Sequence, residues 1–65
     1  MRINTNKIKA LQAEMEMTAS ELAKRSGISR QSVSTILTRG TCEPRTAGKI
    51  AKGLGVPVTE IVREE

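Results

Sequence analysis

The chain has 65 residues and carries 11 Lys and Arg against 7 Asp and Glu, a formal net charge of +4; it is too short for two domains and can bury only one modest core. It contains no His, no aromatic residue and a single Cys, which excludes a zinc tetrahedron and a disulfide framework within the chain. Without an imidazole to activate a hydroxyl, an enzyme is not expected, and neither are cofactors, metals or a small-molecule ligand.

Cys42 reads as a loop thiol suited to a reducing compartment, so a cytoplasmic protein is expected. No apolar run approaches the ~20 residues needed to cross a bilayer, and none near the N-terminus has signal-peptide character.

In chain order, the first helical segment starts after Asn4, a good N-cap, with Ile8, Leu11 and Met15 on one face and Ile3 spaced from Ile8 as a hydrophobic staple. Thr18 and Glu21 open the second segment as a capping box; Leu22 and Ala23 point inward, Lys24 and Arg25 outward, and Gly27 ends it. Ser29 caps the third segment, whose buried stripe is Val33, Ile36 and Leu37 and whose opposite face is Gln31, Thr35 and Thr38 with Ser34 beside them; Gly40 stops it. Pro44 suits the first turn of a fourth helix with Ala47, Ile50, Ala51 and Leu54 on its stripe; Gly53 reads as a weak point in that helix, and Gly55 closes it. Val58 to Val62 reads as a short fifth helix, followed by a frayed tail at 63–65.

The expected fold is therefore all-α: five helices in one domain spanning 1–65, with no sheet. Ile8, Leu22, Val33, Ile36, Ile50 and Leu54 should form its core, with Met15 and Met17 in or at the edge of it.

Segments two and three, joined by about three residues that include Gly27, have the connection of a helix-turn-helix spanning 18–39. Charge follows the same frame. Residues 27–49 hold four basic and one acidic side chain, and none is acidic from Gly27 to Cys42, where a carboxylate would repel a polyanion. In such a motif the second helix enters the major groove. Arg30, Gln31, Ser34 and Thr35 are the candidates for base edges: Arg can bond guanine, Gln adenine, and Thr offers a hydroxyl and a methyl.

Phosphate contacts are expected from the start of the second helix (Thr18, Ser20), from the start of the third (Ser29, Ser32), and from the stretch beyond it (Thr38, Arg39, Thr41, Arg45, with Lys49 further on). Lys7, Lys9, Lys24 and Arg25 read as ordinary solvated charges.

The run Thr18-Ala-Ser-Glu-Leu-Ala-Lys-Arg-Ser-Gly-Ile-Ser-Arg-Gln-Ser-Val-Ser-Thr-Ile-Leu37, followed by Lys49-Ile-Ala-Lys-Gly-Leu-Gly-Val56, resembles the lambda-repressor-like, Cro-type helix-turn-helix regulators (the xenobiotic-response-element family). The resemblance extends over roughly residues 4–62. It implies a five-helix domain that binds double-stranded DNA, as a dimer on a palindromic operator, with the first, second and sixth residues of the reading helix on bases; these match Arg30, Gln31 and Thr35. Ala19 stands where the family often has a Gln that contacts phosphate or base, which leaves that contact to Thr18 or Ser20. Leu37 stands where Glu is frequent.

The function expected is that of a small prokaryotic or phage-type transcriptional regulator of the repressor-like kind. The competing reading is a protein-interaction module, such as an antitoxin or a helical adaptor. A homodimer is expected through helix five, because Val58, Ile61 and Val62 exceed what one short turn needs for its own packing; the alternative is a monomer whose last turn lids the core.

Overall fold

The computed structural model describes residues 1–63. Four α-helices follow one another: α1 (Thr5–Glu14), α2 (Ala19–Ser26), α3 (Arg30–Arg39) and α4 (Pro44–Leu54). The fold class is all-α as expected, but the fifth helix is a single 3-10 turn, Val58–Glu60. The turn stops at Ile61, whose amide donates to the Val58 carbonyl, because the next residue, Val62, leaves it to pair with Ile3.

Local signals decide where the helices start and stop. The Asn4 side chain accepts from the Lys7 amide. Thr18 and Glu21 form the reciprocal capping box, both bonds being 3.1 Å, and Ser29 accepts from the Ser32 amide at 3.0 Å. Gly27, Gly40 and Gly55 end α2, α3 and α4 in the left-handed conformation, with φ of 72°, 74° and 71°, which only Gly adopts without steric cost. Pro44 occupies the first turn of α4, where its missing N–H would have had no intrahelical partner.

One aliphatic core holds the helices together. Ile8, Leu22, Val33, Ile36, Ile50 and Leu54 are all buried, joined by Ile3, Met17, Ala23, Ala47, Ala51 and Ile61. Met15 departs from expectation: it is 41% exposed. The helix ends at Glu14, and Glu16 turns the chain with a φ of 51°. Met15 is thereby lifted off the stripe, and Met17 takes the buried place.

α2 packs against both α3 and α4, and α4 also carries the 3-10 turn. α2 and α4 approach most closely at Gly53. A methyl group there would overlap Ser26 Oγ and lie 3.2 Å from the Ser26 amide and 3.3 Å from Leu22 Cδ1. Gly53 is therefore the contact that lets α4 lie on α2, rather than merely a weak point in its helix.

The first four residues do what no local pattern announced. They run between the turn after α3 and the end of the chain, in isolated antiparallel bridges Arg2–Thr41 and Ile3–Val62. The Ile3 amide donates to the Gly40 carbonyl at 2.9 Å and the Asn4 amide to Ile61 at 2.7 Å. In return the Cys42 amide donates to Met1 and the Arg63 amide to Arg2, both at 3.0 Å. The segment where fraying was expected thus begins with a bonded residue at Arg63; Glu64 and Glu65 lie outside the described residues. Ile61 is fully buried, Val58 packs half-buried on the core and Val62 pairs with Ile3. The apolar surplus that pointed to a seam between copies is largely used inside one chain.

Candidate nucleic-acid interface

α3 is built to expose one polar face. Val33 and Ile36 are buried and Leu37 half-buried, which fixes the helix's rotation about its axis. Arg30, Gln31, Ser34, Thr35, Thr38 and Arg39 are consequently all exposed. An open groove runs along one flank of the helix. Gln31, Ser32, Thr35 and Arg39 line it from α3, Thr41 and Glu43 from the connecting loop, Pro44 and Thr46 from the start of α4. Ile28, Ile36 and Cys42 give it an apolar floor.

The groove therefore gathers Gln31 and Thr35 with Ser29, Ser32, Arg39 and Thr41. Arg30 and Ser34 stand on α3 outside it. Thr38 lines a second hollow with Arg2, Thr5, Arg39, Gly40, Thr41 and Arg63. Thr18 and Ser20 lie at the start of α2, and Arg45 lies on the outer face of α4.

The hydroxyl groups differ in what they have left to offer. Ser29 accepts from the Ser32 amide and donates its own proton to Ser32 Oγ at 2.8 Å, so within this pair Ser32 keeps its proton for a partner outside. The Thr38 hydroxyl donates to the Ser34 carbonyl at 2.9 Å and must rotate before it can donate to a phosphate. At the start of α2, Glu21 Oε1 accepts from the Thr18 amide, which places a carboxylate beside the helix end expected to hold a phosphate. The first turn of α3 has no acidic residue and begins with Arg30, so its N-terminal dipole and a guanidinium reinforce one another.

Glu43, Thr46 and Met1 are groove residues that the sequence pattern did not point to. Glu43 is the N-cap of α4, yet its side chain makes no capping bond, and it stands exposed at the rim. Met1 also lines the groove, because the N-terminal segment pairs with the turn after α3. Burial pushes the Cys42 thiol above its ordinary range, and this outweighs the Met1 amino group, which lies close enough to favour the thiolate. No cluster of metal-ligating side chains occurs among the described residues, and no described helix is long and apolar enough to cross a membrane.

Among known families, the one described as Helix-turn-helix matches residues 8–61. No curated protein and no solved structure gives a significant match. The matched span takes in α2, the turn at Gly27 and α3 with its exposed polar face. It belongs to a family of DNA-binding regulatory domains rather than of enzymes. With this frame and that face together, the chain belongs to the Cro/C1-type helix-turn-helix family and is a DNA-binding domain.

Proposed function

We propose that the protein is a sequence-specific transcriptional regulator of the repressor-like kind, forming one domain over residues 1–65 and reading the major groove of duplex DNA with α3. The observation that carries this reading is the exposed face of α3. It offers Arg30, Gln31, Ser34 and Thr35 to base edges and contains no carboxylate, on a helix whose opposite side is locked in the core. Phosphates on either side of the groove are assigned to Thr18, Ser20, Ser29 and Ser32 and to Thr38, Arg39, Thr41 and Arg45.

A single reading helix covers few base pairs, so two copies on half-sites about 34 Å apart belong to the same proposal. Val58 and Val62, half-buried, are what the last turn leaves for a seam.

Selection of bound sequences from random duplexes tests the reading, followed by titration of the selected duplex over a range of salt. Enrichment of one site, with affinity falling steeply as salt rises, is the expected result. No enrichment and a flat salt dependence would instead favour a protein-binding module.

A further inference from the structure

The outer face of α4 is unlike the rest of the surface. Arg45, Lys49 and Lys52 are all exposed and line one shallow hollow, with Gly48 as its fourth side. They recur at intervals of four and three residues, so they form a stripe about 10 Å long on one helix face. Gly48 leaves that face open: a methyl group added there meets nothing within 4 Å. None of the three cations is ion-paired among the described residues; the pair formed there joins Lys7 to Glu60. The stripe starts one turn from the reading groove in the chain: Arg45 lies between Pro44 and Thr46, which line that groove, while its own side chain stands on the other hollow.

Three like charges along one helix face cost helix stability. They also oppose the packing of this face against a second copy of itself. An anion lying over Gly48 relieves that repulsion.

We propose that the outer face of α4 is a second phosphate-binding strip, in which Lys49 and Lys52 extend the contact begun by Arg45 to backbone phosphates that flank the base pairs read by α3. The proposal rests on the DNA-binding reading above and adds to it a site that reads no sequence. Backbone phosphates approach over Gly48, where no side chain blocks the way, and each of the two ammonium groups closes on one of them as a point charge. Length of duplex, rather than base identity, is what this strip detects.

The test uses the selected duplex in two forms, whole and trimmed to the base pairs that α3 protects. On the whole duplex, the double variant Lys49→Gln/Lys52→Gln should lower the slope of log affinity against log salt by about two, since each phosphate neutralised by a cation adds about 0.9 to it. On the trimmed duplex it should match the wild type, and single-base discrimination should not change. Gly48→Glu keeps all three cations and places a carboxylate in the hollow; it should weaken binding to the whole duplex alone. Thermal melts of both variants, at or near the wild-type temperature, establish that they fold.

Equal slopes for the double variant and the wild type on the whole duplex overturn the proposal. So does an equal weakening on both duplexes, which would place the lysines within the reading site. Inorganic phosphate and poly-glutamate serve as the other probes. If the double variant no longer binds one of these while its duplex binding is intact, the strip belongs to a free anion or to an acidic polypeptide, and the proposal is overturned. If the wild type itself binds no duplex in a salt-dependent way, the DNA-binding reading fails first, and the strip falls with it.

Discussion

Glu43 and Arg39 face the same groove from opposite signs of charge, and their removal should act in opposite directions. Glu43 makes no capping bond and lines the groove beside α3, where its carboxylate repels a phosphate backbone and serves the fold only through the dipole of α4. Glu43→Gln should raise affinity for all duplexes several-fold, most at low salt, with little change in melting temperature; weaker binding by this variant would place the residue elsewhere. Arg39→Ala should weaken all sequences about equally and lower the salt slope by about one.

Cys42 belongs to this scale as well. Because burial holds its thiol above the ordinary range, it should be alkylated more slowly than a free thiol at pH 8 and faster as pH rises. A rate equal to that of free cysteine would contradict its burial. The exposed face of α3 could be read from the sequence because helical periodicity fixes which side chains point outward. The presence of Glu43 and Met1 at the same groove could not. It depends on how a loop and the N-terminal segment fold back beside the helix, and no spacing encodes that.

At the scale of the helices, the caps were legible because each is a contact between residues three apart: Asn4 with Lys7, Thr18 with Glu21, Ser29 with Ser32. Packing between helices was not, and α4 shows the difference with two glycines. Gly48 and Gly53 are equivalent by propensity, each costing about 1 kcal/mol relative to Ala in a helix interior. Gly48→Ala meets open space, so it should stabilise the protein by up to about 1 kcal/mol. Gly53→Ala drives a methyl into Ser26 and Leu22; it should destabilise, by roughly 1–3 kcal/mol as overpacking usually does. Urea denaturation of the two variants separates these effects. If both are stabilised, the close approach of α2 and α4 is wrong.

α3 carries a comparable tension between fold and function. Arg30 in its first turn is repelled by the positive end of the helix dipole, with which it jointly attracts an anion, a position that favours an anion outside the helix over the helix itself.

The whole molecule depends on a core made only of aliphatic side chains and methionine, closed by an N-terminal segment that ties the turn after α3 to the end of the chain. Leu22 is fully buried, and Leu22→Ala should cost about 2–5 kcal/mol, a large share of a small domain's stability. Ile3 is 2% exposed and sits in the bridge to Val62. Ile3→Ala should be similarly costly and should loosen Gly40 to Cys42, seen as faster amide exchange there.

The central claim is that α3 reads base pairs, and Gln31 stands at its second position, exposed and on the groove. The most direct test is the affinity of Gln31→Ala for the selected duplex and for each of its single-base variants. The account predicts a loss of about 1–3 kcal/mol on the selected site and relaxed choice at one base pair, with discrimination elsewhere retained. Full discrimination at every base pair in Gln31→Ala would contradict it.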